Sequence, residues 1–280
     1  MTKTPTKSRL VWAFLGFAAG FLPLLFTHVD TGELQREVPK LGNFPFFETQ
    51  YAYLYLHIVT FFPVFALSFD RRVHYFRSWW ALFPAIAVVG TLFIVWDVYF
   101  THAGVWGFNE RYLSGAFLWG LPVEEWLFFF TVPFACIFIY ECLNYYVPWN
   151  PLINSERWIT LGLLLVALVL AIVYREKIYS AITFLLLVWL LSLHLNFWAS
   201  KRGPHVRSRF YMAYFVSCVP FVLVNGVLTG GFTEYPIVLY NNAENLGKRL
   251  GSIPLDDFGY SFLLLFGTVT LYEWIKNRKS

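Results

Sequence analysis

"LPVEEWLFFFTVPFACIFIYE", residues 121–141, decides how the chain is read. From Val123 onward it is apolar for long enough to cross a bilayer, which takes about 20 residues of helix. Two carboxylates, Glu124 and Glu125, stand side by side at its threshold. The same arrangement returns in "IPLDDFGYSF" from Ile253, with Asp256 and Asp257. The rest of the chain fits this reading. Of its 280 residues 58% are hydrophobic and 14% charged, more apolar surface than a water-soluble domain can hide. The pattern predicts an all-α, polytopic membrane bundle of about eight spans: 10–27, 51–69, 79–99, 123–144, 158–174, 179–198, 209–228 and 255–275.

The net charge of +4 is small and lies in short loops, which speaks for membrane topology and against nucleic acid. Basic residues gather before the first span (Lys3, Lys7, Arg9), at Arg71, Arg72 and Arg77, at Lys201, Arg202 and Arg207, and at Lys276, Arg278 and Lys279. An eight-span scheme puts all four groups on one side. The positive-inside rule makes that side, and both termini, cytoplasmic in a cell-membrane protein. Loops 28–50, 100–121 and 229–254 then share the other side. The first 26 residues have the basic start and apolar core of a signal peptide, but without a convincing small-residue cleavage site they read as a retained span. Cys136, Cys142 and Cys218 fall in apolar runs and form no disulfide framework or metal-ligand spacing.

The chain repeats itself. A shift of 132 residues lays "FNERYLSGAFLWGLPVEEWLFFF" on "YNNAENLGKRLGSIPLDDFGYSF" without a gap. Asn109 meets Asn241, Pro122 meets Pro254, the acidic pairs coincide, and Tyr140-Glu141 meets Tyr272-Glu273. At a shift of 128, Asp97 meets Asn225. The expected organisation is two homologous halves, 1–150 and 151–280, of four spans each and in parallel orientation.

Acids at a helix start answer the positive end of its dipole, so both pairs can be read as plain helix-start chemistry. Two adjacent acids also repel, and they point about 100° apart on a helix. The alternative is that one caps the helix while its neighbour faces the bundle, where a carboxyl shielded from water can keep its proton and act as a general acid. Asp97, in "IVWDVYF", is an acid among apolar and aromatic residues with no nearby cation in sequence, on the same side as Glu124 and Glu125. Its counterpart Asn225 keeps the hydrogen bonds and loses the proton. Glu141 and Glu273 lie about 25 Å away along their helices and read as structural partners of the basic loops. In the loop "THAGVWGFNERYLSG", Asn109 can turn the chain or bond an acid, and Arg111, like Arg249, can pair with one.

Several chemistries drop out. The six histidines form no HxxxH cluster for a di-iron centre. There is no glycine-rich dinucleotide fingerprint. No lysine sits inside a span to form a Schiff base, and no twin DxxxD motifs bind magnesium diphosphate. Acid–base work on an apolar substrate remains, with no cofactor and no metal. Intramembrane acids in tandem repeats also describe a proton-coupled transporter or a non-catalytic scaffold, although the acids here crowd one side.

The stretches "WDVYFTHAGVWGFN", "YLSG…LPVEEWLFF" and "PFACIFIYE", echoed by "NGVLTG" and "LGSIPLDD…LYE", resemble the small membrane lycopene cyclases over nearly the whole chain. Relatives of this kind occur as two short subunits or as tandem fusions, and this chain looks like the fusion. The resemblance implies lycopene or a related acyclic carotenoid, dissolved in the lipid bilayer, as the substrate. It implies Glu124 and Glu125 as the essential acids, with Asp256 and Asp257 as their second-half counterparts; the Asp-Asp pair departs from the glutamate pattern. The reaction implied is redox-neutral. An acid protonates the terminal double bond, the neighbouring alkene closes a six-membered ring on the cation, and a base takes a ring proton. Glu125 or Glu124 would be the acid, with Asp97 setting its proton or serving as base. Aromatic faces stabilise such a cation by about 0.5–2 kcal/mol each. Trp96, Trp106, Phe108, Tyr112 and Trp126 are candidates for that role, and Asn109, Asn225 and Asn241 for polar support. A β-ring product is expected, with ε- or γ-ring formation, or cyclisation of longer carotenoids, as neighbouring possibilities.

Overall fold

The computed structural model describes residues 16, 20, 21, 29, 32–196 and 202–278. Among them are seven α-helices: α1 (Ala52–Leu67), α2 (Trp79–Ala103), α3 (Val123–Tyr146), α4 (Glu156–Val173), α5 (Ile178–Asn196), α6 (Gly203–Leu228) and α7 (Asp256–Lys276). Six of these, α2 to α7, are long and apolar enough to cross a membrane, and α1 is a shorter apolar helix. The seven spans expected from residue 51 onward each coincide with one helix. The span expected at 10–27 lies, apart from positions 16, 20 and 21, outside the described residues, as do Lys3, Lys7, Arg9, Lys201 and Lys279.

These helices are apolar on all sides, as bilayer-spanning helices are. Prolines inside α1, α2, α3 and α6 (Pro63, Pro84, Pro133 and Pro220) are accommodated because neighbouring helices and side chains take up the freed backbone groups. α2 stops where Gly104 adopts a left-handed conformation, φ 78°. α2, α3 and α7 form the centre of the bundle, with α1 and α6 packed on the two flanks of α3 and α5 against α7. Gly259 of α7 lets Thr183 of α5 approach so closely that a Cβ would lie 2.9 Å from its methyl group.

At one end of the bundle the helices are tied by reciprocal bonds. Tyr140 donates to Glu273 (3.0 Å), and Tyr272 donates to Glu141 (2.8 Å), which also takes Lys276 Nζ at 2.8 Å. Nearby, Arg207 grips Glu156 with two nitrogens (2.5 and 3.0 Å) and donates a third bond to His194 O. All of these groups have partners, which is what makes buried charge tolerable.

The other end carries short antiparallel ribbons. β1 (Trp106–Phe108) pairs with β4 (Val238–Tyr240), with Gly107 opposite Leu239. β2 (Phe117–Leu118) pairs with β3 (Leu121–Pro122), and β5 (Arg249–Leu250) with β6 (Ile253–Pro254). Residues 32–48 lie over this end. Leu41, Gly42 and Phe44 donate backbone bonds to Gly231 and Phe232, and the Phe44 and Phe232 rings stack at 5.0 Å. Lys40 Nζ donates to the carbonyls of Gly230, Thr233 and Glu234 at 2.8–3.0 Å. Together these segments roof the end at which the acidic pairs sit.

Candidate active site

Each acidic pair occupies the first turn of its helix and divides its work. Glu124 reaches back to the loop and accepts the Ser114 N–H at 2.7 Å. Asp256 does the same with the Leu246 N–H at 3.0 Å and also takes the Ser180 hydroxyl at 2.5 Å. Ser114 and Leu246 are themselves 132 residues apart. In each pair the first acid therefore fastens the ribbon end to the helix. The second acid turns inward.

Glu125 and Asp257 both line one internal cavity of about 380 Å³, together with Asp97. All three are nearly inaccessible to solvent. Tyr53 of α1 donates to Glu125 Oε2 at 2.6 Å. Asp97 Oδ1 accepts the Trp106 indole N–H at 2.5 Å, while its Oδ2 is buried with no partner among the described residues. Asp257 is more fully held. Tyr179 donates to Oδ1 at 2.8 Å, and Asn225 and Tyr240 donate to Oδ2 at 2.8 and 2.9 Å. Burial first, and the Asp257 carboxyl second, push the Tyr240 phenol well above the ordinary tyrosine range, so it acts as a donor at neutral pH.

Aromatic rings wall the chamber. Trp106 meets Tyr179 edge-on at 5.1 Å and Tyr260 at 6.0 Å. Trp96 lies one layer behind, 5.0 Å from Tyr260 and 5.6 Å from Phe100. A polar cluster at the rim of so apolar a space can hold and move a proton while keeping water out.

The structure brings Asp97, Glu125, Asp257, Trp106, Phe108 and Asn225 to the cavity wall. The other residues singled out in the sequence lie elsewhere. Asn109 caps a short turn, accepting Arg111 N–H at 3.2 Å and donating to Pro236 O. Asn241 is buried and bonds Ala243 N–H. Tyr112 donates to Glu48 at 2.8 Å, and burial pushes its phenol up to about 12. Trp126 donates to Leu118 O and meets exposed Trp119 edge-on. Arg111 pairs with Glu48 and Glu234, and Arg249 donates to Ser252 O and Asn242, so the cations take loop partners in place of the chamber acids. Sequence reading missed the four tyrosines of the chamber: Tyr53, Tyr179, Tyr240 and Tyr260. One signal was present, since Tyr53 and Tyr179 each stand second in a helix, α1 and α5, that comes two helices before an acid pair.

Long apolar helices around a nearly dry, aromatic chamber define an integral membrane protein with an internal binding cavity for an apolar molecule. The lycopene cyclase family model matches residues 50–143 and 176–275. The chain belongs to that family, and its activity is that of a carotenoid cyclase. No curated protein and no solved structure matches it.

Proposed function

We propose that the protein is a lycopene β-cyclase that converts the acyclic ends of lycopene into β-ionone rings by way of the one-ring intermediate. Glu125 serves as the general acid. It delivers a proton to the terminal alkene, and the electron pair of the neighbouring double bond closes the ring on the tertiary cation. A carboxylate of the same chamber accepts the ring proton, so nothing is oxidised or reduced. Asp97 positions or exchanges the Glu125 proton, and Asp257, fixed by three donors, supplies negative charge facing the cation. Trp106, Phe108 and Tyr260 offer ring faces to it. Glu124 and Asp256 hold the loops in place.

One observation carries this reading: Glu125 sits beside Asp97 and Asp257 in a largely apolar, aromatic cavity at the head of a bilayer-length helix, with the Tyr53 phenol as its one hydrogen-bond partner among the described residues. A general acid in such a site contributes about 10²–10⁴-fold. The two-halves organisation, 1–150 and 151–280, and the cytoplasmic side for the basic loops belong to the same proposal. The test is expression in a lycopene-producing bacterium followed by chromatography of the pigment. β-Carotene or its one-ring precursor is expected. Unchanged lycopene, with the protein in the membrane, would remove the proposal, and ε-rings would replace its last step.

A further inference from the structure

The cavity does more than surround the acids. From Glu125 its wall continues down α3 through Phe128, Val132, Ala135 and Cys136 to Ile139. Those fourteen steps along the helix cover about 21 Å, most of the roughly 30 Å hydrocarbon thickness of a bilayer. α1 and α6, on either flank of α3, supply the sides of this groove. Val59, Pro63 and Val64 come from α1, and Ser217, Val224 and Leu228 from α6. Val59 and Leu223 line it and are both 60% exposed, so the groove opens sideways onto the surface that faces lipid. The opposite route is shut. Residues 32–48, the β1–β4 ribbon and the 229–241 loop close the acid end, tied by Lys40 and the Phe44–Phe232 stack.

We propose that this groove is the track for the conjugated chain: the carotenoid slides in from the bilayer between α1 and α6, end group first, and lies along α3 with its far end still in lipid. The claim rests on the cyclase reading and adds a consequence to it. Both carboxyl centres line the same chamber at one end of the track, so two end groups cannot be served together. An extended carotenoid is about as long as a bilayer is thick and cannot turn round inside. One end group is therefore cyclised per visit, and a molecule with one ring returns to the membrane before its second end is closed.

The experiment uses purified protein in phosphatidylcholine vesicles, supplied with isotope-labelled lycopene and an excess of unlabelled one-ring carotenoid. Mass spectrometry reads the label in the products. A ratio of labelled two-ring to labelled one-ring product that falls several-fold as the unlabelled pool grows fits the track. A ratio that ignores the pool overturns it. Val224→Trp and Val59→Trp, which narrow opposite walls, should each lower kcat/KM at least tenfold. Val219→Trp, on α6 but outside the groove, should stay within twofold. Wild-type rates in both groove variants would place the path elsewhere. Absence of any ring in the wild type would instead refute the cyclase reading, so the two failures are distinct.

Discussion

Two carboxyl groups line the same chamber with different company. Glu125 accepts one hydrogen bond among the described residues, from Tyr53, and shares the cavity lining with the carboxyl of Asp97. Asp257, from the second half, accepts three, from Tyr179, Tyr240 and Asn225. The framework around them is the same: a helix start, a ribbon behind it, a loop N–H fixed by the preceding acid, and a tyrosine from a neighbouring helix. Only the saturation differs. A carboxylate is purely an acceptor and is well served by three donors, whereas a group that must release a hydrogen to substrate needs a freer oxygen. On the proposed two-halves organisation the repeat supplies one scaffold twice, and Asp97 against Asn225 marks where the proposed roles divide.

Substitutions can break or sharpen that contrast. Glu125→Gln removes the proposed proton donor while keeping size and the Tyr53 contact. Ring formation should fall about 10²–10⁴-fold, with the protein still in the membrane; retention of activity would make Glu125 a helix-start residue. Asp97→Asn makes the first centre copy the second, and pigment analysis should show a loss of roughly 10–100-fold, within the lower reach of acid–base effects. Asp257→Asn leaves an amide where three donors converge. About a tenfold loss is expected, equivalent to about 1.4 kcal/mol of transition-state stabilisation; a loss matching that of Glu125→Gln would erase the proposed division. Tyr140→Phe removes one of the reciprocal ties at the far end. It should cost about 1–2 kcal/mol in thermal unfolding in detergent and leave product identity unchanged. Trp126→Phe, whose ring lies off the cavity, should alter turnover by less than about twofold, as surface changes usually do.

Much of this arrangement was legible in the residues. Apolar run length marked the helices from residue 51 onward, because in lipid the backbone must bond within its own segment. The 132-residue shift paired Glu125 with Asp257 before any geometry was known. The chamber's aromatic lining was harder to read. Tyr53 and Tyr179 lie 72 and 78 positions from the acids they bond, a distance that no local pattern spans. Nearness in sequence also misled. Trp126 adjoins Glu125 in the chain, but successive residues on a helix point about 100° apart, and that rotation carries the indole away from the cavity. Tyr112 and Asn109 look close to the acids along the loop, yet the loop spends their polar groups on Glu48 and Pro236.

The β1–β4 ribbon has a consequence for assembly. Trp106 stands opposite Tyr240 and Phe108 opposite Val238, while the 132-residue shift superposes Trp106 on Val238 and Phe108 on Tyr240. The flanking bonds obey the same exchange: Asn109 N–H to Ile237 O, and Asn241 N–H to Val105 O, 2.8 and 2.9 Å. Each strand is thus complementary to the stretch the shift lays on it, as the proposed organisation in two like halves would have it. On that proposal the polypeptide connecting α3 to α4 sets the ratio of the two pieces at one to one, and the packing of α2 on α7 and of α3 on α6 joins them alongside the ribbon.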